Sequence, residues 1–337
     1  MLIQNRNINP IKSQQIMVQR IIFLLLFIPL ISLAAKKDTT APSNPDSLRY
    51  WSFKGKTGLT FNQLSLSNWA AGGESSASGK VNVLTNLRYK KNNFLYENDC
   101  KLAFGMIGYG KNRIEKTEDR IDLAMKATNE TEKNWTYSSV LTLKTQFANG
   151  YKYPNDSTLI STFLAPGVVN ASVGYRYKKS DLFELFLSPA SGKFTFVLNQ
   201  ELADRGAYGV QAAIRDTNGL VLVPGKKLFS EFGFNVLANF AKEVSSNIEL
   251  SSTLNLYNNY LDDNIGNRWN IDVDWETTIN FTINKRFQTV LFMQMKYDHN
   301  VDFPVYEMIE GEKVQIGEAP RLQFKESLGI GITYNFS

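Results

Sequence analysis

From Leu322 to Phe336 the chain alternates. Leu322, Phe324, Leu328, Ile330, Ile332, Tyr334 and Phe336 share one parity, with Glu326 among them. Gln323, Lys325, Ser327, Gly329, Gly331, Thr333 and Asn335 share the other. Successive side chains of a strand point to opposite faces, so such a segment shows one face to oil and the other to water. It is also longer than the usual strand of about five or six residues. Two architectures use strands of this kind: the edge of a soluble sandwich and the wall of a transmembrane barrel.

The same period runs through the chain from Trp51 onward. Trp51, Phe53, Leu59 and Phe61 oppose Lys54, Lys56, Thr60 and Asn62; Val81, Val83, Leu87 and Tyr89 oppose Lys80, Asn82, Asn86 and Arg88. Further segments follow at 94–106, 121–126, 135–147, 169–177, 183–187, 232–240, 248–260, 269–283 and 291–297. With the closing segment this predicts twelve strands. The rhythm breaks over 188–227, the longest connection, where 194–214 reads equally as a short hairpin or a helix. Connections near 91, 131, 179, 244 and 285 are short, and those near 70, 113, 157, 208, 265 and 310 are mostly longer.

An even strand count with this loop asymmetry is expected of an outer-membrane barrel with both termini on the periplasmic side. Tyr89, Phe94, Tyr96, Trp135, Tyr137, Tyr175, Tyr177, Tyr334 and Phe336 gather at the short-turn ends, where an interfacial girdle belongs. A sandwich accounts for the alternation but not for the girdle, strand length and loop asymmetry together. The reading is therefore all-β: a transmembrane antiparallel β-barrel over 51–337 in the outer membrane of a Gram-negative bacterium.

Composition adds the export route. Ile21–Ala35 is the one long apolar run, too short for a spanning helix of about twenty residues, and it follows Arg20. Ser32 and Ala34 supply small residues before a cleavage point, which makes 1–34 a signal peptide. Met17-Val18-Gln19-Arg20 is a more compact start to it than residues 1–16, so translation is expected to begin at Met17. Residues 35–50, with two prolines, read as a periplasmic linker. The formal charge is +5, and the first 34 residues hold Arg6, Lys12, Arg20 and no acid, leaving +2. No basic run of nucleic-acid type remains. The single Cys100 excludes an internal disulfide.

The polar parity carries both signs, including Lys54, Lys56, Arg88, Lys101, Arg120, Lys126, Lys144, Arg176 and Lys296 against Glu97, Asp99, Asp122, Glu184, Glu231, Asp272, Asp274, Glu276 and Asp298. Burying so many charges in a dry core is costly, so the lumen is expected to be wet, cross-paired, or both. Asp272, Asp274 and Glu276 put three carboxylates on one lumen face, either as a cation-attracting ladder or as partners of bases across the barrel. His299 is the sole histidine; without a matching serine motif it reads as a solvated loop residue rather than a general base. Asp262-Asp263-Asn264 lacks the spacing of a calcium loop. No metal or cofactor is implied.

Asn62–Gly73 (NQLSLSNWAAGG) carries amide and hydroxyl groups around a tryptophan and ends in a glycine pair. Gln63, Asn68 and Trp69 are candidates to close the barrel mouth or to offer stacking and hydrogen bonds to a ligand. This segment, with Leu187-Ser188-Pro189, Asn247-Ile248, Asn258-Asn259-Tyr260, Trp269–Glu276, Tyr297-Asp298 and the Gly329–Phe336 ending, resembles the DUF3078 family of exported Bacteroidota proteins. The resemblance spans about 51–336 and implies an outer-membrane barrel, with no catalytic residues to carry over. Expected partners are outer-membrane lipid and lipopolysaccharide, the barrel assembly machinery during biogenesis, and an envelope protein at the outer loops. The expected role is a narrow passive pore or uptake channel; the alternatives are a non-conducting accessory barrel and, least favoured, a hydrolase.

Overall fold

A computed structural model describes residues 50–336 apart from 66–73, 111–112, 132–133, 263 and 310–311. Twelve strands close into one antiparallel barrel: β1 (Trp51–Leu64), β2 (Ser76–Lys91), β3 (Phe94–Tyr109), β4 (Arg113–Asn129), β5 (Trp135–Thr145), β6 (Gly167–Ser180), β7 (Phe183–Phe196), β8 (Leu228–Ser245), β9 (Ile248–Asn259), β10 (Asp272–Thr282), β11 (Phe287–Tyr297) and β12 (Gln323–Phe336). Each strand pairs with its sequence neighbours, and β1 closes onto β12. Closure leaves no free edge strand, the condition for strands to stand in hydrocarbon.

The barrel is oily outside and polar inside. Phe61, Tyr137, Leu328 and Ile330 are each more than half exposed on the outer wall. A soluble protein does not leave such a band bare, so the wall faces lipid. Aromatic residues cluster at the short-turn end: Trp51 lies 4.8 Å from Tyr89, Trp135 lies 5.0 Å from Tyr177, and Tyr137 lies 5.0 Å from Tyr175, all between ring centroids. Tyr334 stacks on Phe336 at 6.4 Å, and the Phe336 ring lies over Gly55, where a larger residue would collide with it. These pairs form the expected girdle.

The closing seam is short. Seven register pairs, Gly55–Phe336 through Phe61–Ile330, join β1 to β12, whereas β1 and β2 pair along the whole of β1 from Trp51–Tyr89 to Leu64–Ser76.

Two expectations are corrected. The dyad over 183–187 does not end a strand, because β7 continues to Phe196 and the long connection is 197–227. A bulge at Ser188-Pro189 hides this: Leu185 and Leu187 face outward before it, and Ala190, Gly192, Phe194 and Phe196 after it. Proline lacks a ladder donor and is tolerated in a strand at such a bulge. The Ser188 hydroxyl, fully buried, lies 2.8 Å from the carbonyl oxygens of both Val173 and Ala190, and its one proton bonds to one or the other to hold the bulge shut. Gly174 faces it because a Cβ there would run into the Leu187 carbonyl. The second correction concerns β10. It starts at Asp272, since Ile265–Trp269 form a 3-10 turn capped by Asn264, whose side chain accepts from the Gly266 amide.

The long loops have structure of their own. Within the 197–227 connection the stretch expected to be a hairpin or a helix holds a helix, α1 (Gln200–Asp204), and a small hairpin (Ile214–Arg215 with Val221–Val223) follows it. A second hairpin, Asp302–Ile309 with Glu312–Pro320, crowns β11 and β12. Ala165, Val197, Leu202, Ala203 and Val210 form a buried cluster, with Leu159, Tyr208 and Phe229 packed on it. That cluster makes a folded cap at the long-loop end.

Candidate functional site

The chemistry of this barrel is inside it. Alternation carries every second residue of each strand into the lumen, and the register decides which charges meet. At mid-height β4 and β10 stand six strands apart in either direction, on opposite walls. Arg120 on β4 nonetheless reaches Glu276 on β10, Nη2 to Oε1 at 2.6 Å, while also pairing with Asp122 beside it. Lys144 on β5 reaches Asp274 on β10 at 2.8 Å. Gln294 on β11 donates to Asp274 at 2.7 Å and to Glu276 at 3.1 Å. These side chains form struts across the bore.

A second layer lies toward the short turns. Arg176 pairs with Glu184 at 2.7 Å and Glu97 at 3.5 Å, and Lys126 stands 3.5 Å from Asp99 and 3.9 Å from Glu184. Toward the long loops, Lys193 on β7 meets Asp272 at 2.8 Å, Glu231 at 3.0 Å and Asp298 at 3.8 Å. Its ammonium also lies 5.1 Å from the centroid of the buried Tyr257 ring. One cation thus serves three carboxylates beneath the cap. Lys325 on β12 bonds Glu118 on β4 at 2.6 Å.

The three candidate carboxylates therefore belong to different clusters: Asp272 to Lys193, Asp274 to Lys144, Glu276 to Arg120. All three are engaged by bases, and no open cation ladder is formed. Gln63 is exposed near the end of β1; Asn68 and Trp69 lie outside the described residues. The main-chain amide of His299 donates to Asp272 at 3.2 Å. Asp262 spends its side chain on the Asn264 amide at 2.8 Å, closing a turn. Cys100 sits on the outward parity of β3, opposite Leu123.

Cavities lie beside the struts, and two of them are lined by lumen charges. One, of about 650 Å³ at the short-turn end, is lined by Lys54, Lys56, Asn86, Asp99, Lys101 and Asn335 among others. The other, of about 150 Å³ at mid-height, is lined by Lys101, Asp99, Arg120, Lys144, Asp274 and Glu276 among others. Asp99 and Lys101 line both, so the two spaces adjoin. The smaller is lined by many charged and amide side chains and is roomy enough for several waters.

At the long-loop end the cap sits close over the Lys193 cluster. Gly209 lies against Phe229 and Asn300, and the Asn300 side chain donates to Glu231 at 3.3 Å. Tyr208 donates to the Ile160 carbonyl at 2.7 Å, and burial pushes its hydroxyl up to about 12, so it keeps that proton at any working pH. Asp204 at the end of α1 accepts from the Gln200 side chain at 2.7 Å and from the Gly225 amide at 2.8 Å. Those two bonds hold its carboxyl below the ordinary aspartate value. A lowered carboxyl contributes stability above its unfolded pKa and loses it as pH falls through the folded one. The cap is therefore expected to loosen in acid. Pepsin cleavage within 197–227 should rise as the pH drops below the ordinary aspartate range, and Asp204→Asn should flatten that dependence.

A family model described as "Protein of unknown function (DUF3078)" matches part of the chain. The match covers residues 61–151. The matched stretch runs from the end of β1 to the first residues after β5, and so includes Arg120, Asp122, Lys126 and Lys144 of the lumen. No curated protein matches the sequence. Among solved structures, an outer-membrane channel from Pseudomonas putida F1 is 12% identical, over 88% of this chain and 99% of that one, with a TM-score of 0.38. The translocator domain of the autotransporter NalP from Neisseria meningitidis is 8% identical, over 85% and 88%, at 0.33. The toluene transporter TodX of Pseudomonas putida is 6% identical, over 85% and 89%, at 0.29.

The alternation in sequence was enough to assign most of these side chains to the lumen. Lys193 escaped it, since the bulge reverses the parity of β7. Pro189 in the middle of an otherwise regular run is the signal that marks such a reversal.

Proposed function

We propose that this protein is an outer-membrane barrel acting as a narrow pore for water and small ions, with both termini in the periplasm. In this reading the short turns face the periplasm and the cap faces outside. The adjoining cavities that share Asp99 and Lys101 carry it, because they run beside the ion-pair struts from the short-turn mouth to mid-barrel. The struts set the width. A barrel of twelve strands lies between the filled eight-stranded ones and the open porins of sixteen or more. Here Arg120–Glu276 and Lys144–Asp274 take up the bore, leaving passage for hydrated ions rather than for bulky solutes.

Reconstitution of the purified protein in planar bilayers tests this directly. Small, discrete current steps are expected, and a silent bilayer containing folded protein would overturn the pore.

One observation favours a second reading, a non-conducting accessory barrel that docks an envelope partner. The long-loop hairpins expose Leu220, Leu222, Tyr306, Met308 and Ile316. A pull-down in gentle detergent that returned the barrel alone would count against it.

A further inference from the structure

The lumen charges are close to balanced in number but not in where they are satisfied. The paired ones occupy the struts and the two layers flanking them. Among the described residues, Lys54 and Lys56 on β1 and Lys101 on β3 make no ion pair. All three line the cavity of about 650 Å³ at the short-turn mouth. Asp99 lines it too, but accepts from the Asn86 side chain at 2.7 Å and stands 3.5 Å from Lys126. Asp122, opposite Lys101 in the ladder, is taken by Arg120.

The register brings the three lysines together on one wall. Lys56 and Lys101 both pair with Leu84 from either side, so they flank it in one row, and Lys54 is two residues below Lys56 on the same face. Asn335 is the partner of Lys56 on β12, and Asn86 is the partner of Lys54 on β2. Three ammonium groups with amide donors beside them thus look into a space of the size that holds small ligands. A wet cleft whose unpaired charges are of one sign concentrates ions of the other sign.

We infer that this vestibule binds small anionic solutes, through a phosphate or carboxylate group, and that it makes the pore anion-selective. The inference rests on the pore reading for selectivity but not for binding. Lysine suits the role because its ammonium acts as a mobile point charge, able to hold an anion without the fixed fork that arginine imposes. Weak holding at several points is also what lets an ion leave again.

The test uses the full chain in detergent and in planar bilayers, with the triple variant Lys54→Gln, Lys56→Gln, Lys101→Gln. None of these lysines supports a strut, so the variant should keep the heat-modifiable migration of a folded barrel. Under a KCl gradient the parent is expected to pass chloride severalfold better than potassium, and the variant to lose that preference. Calorimetric titration with inorganic phosphate should show binding to the parent and at least a tenfold loss in the variant.

A cation-selective parent, or a variant with unchanged reversal potential, would overturn the selectivity while leaving the pore standing. If no current flows at all, the pore reading fails and the phosphate titration alone decides. Binding lost in the variant then supports the anion site, and no binding to the parent overturns it.

Discussion

Replacing Lys193 by methionine is expected to cost about 3–5 kcal/mol, the usual penalty for leaving buried charge uncompensated. Lys193 is the one cation within 4 Å of Glu231, Asp272 and Asp298 among the described residues, and the Glu231 side chain is only 1% exposed. Methionine fills the same volume without the charge, so three carboxylates would face each other under the cap. The measurement is the temperature at which the folded, fast-migrating band converts to the unfolded one. Adding Glu231→Gln to the variant should recover part of the loss by reducing the repulsion. A Lys193→Met barrel as heat-resistant as the parent would mean that water already solvates these carboxylates.

The second large effect is on conductance. On the proposed pore, changing Asp274 and Glu276 together to alanine should raise the single-channel current severalfold, because it removes one end of both cross-barrel struts. Arg120 then keeps Asp122 on its own wall, and Lys144 is free to turn aside. Stability should fall less than for Lys193, since the released cations open onto the mid-height cavity rather than a closed pocket. Unchanged current in the double variant would place the constriction elsewhere, the cap being the next structure along the axis.

Much of the fold was legible in the sequence, for a physical reason. Lipid on one side and water on the other impose the period of two on every strand, so Trp275, Ile279 and Phe281 separate from Asp274, Glu276 and Asn280 without any tertiary information. Loop lengths then distinguish the two ends. What could not be read is who meets whom across the bore. The Arg120–Glu276 contact joins residues 156 apart in sequence, and it depends on ring order and stagger, which no local pattern encodes. The bulge at Ser188-Pro189 was missed because it shifts parity by one residue within a strand, which mimics the end of that strand. The cap was missed because its cluster around Leu202 and Val210 is assembled from two loops with no shared period.

The short seam between β1 and β12 has a consequence for how the molecule comes into being. Every other wall of the barrel joins strands adjacent in the chain, so those hairpins can zip locally as they appear. The seam alone joins opposite ends of the sequence, Gly55 with Phe336, and it does so through the fewest pairs. Its loop-closure entropy is the largest in the fold, and nothing repays it until β12 exists. The barrel therefore closes last at its weakest wall, and until then two bare strand edges and an oily outer surface await a partner. Assembly is gated by the arrival of one strand, and an error in β12 leaves an open sheet rather than a slightly damaged barrel.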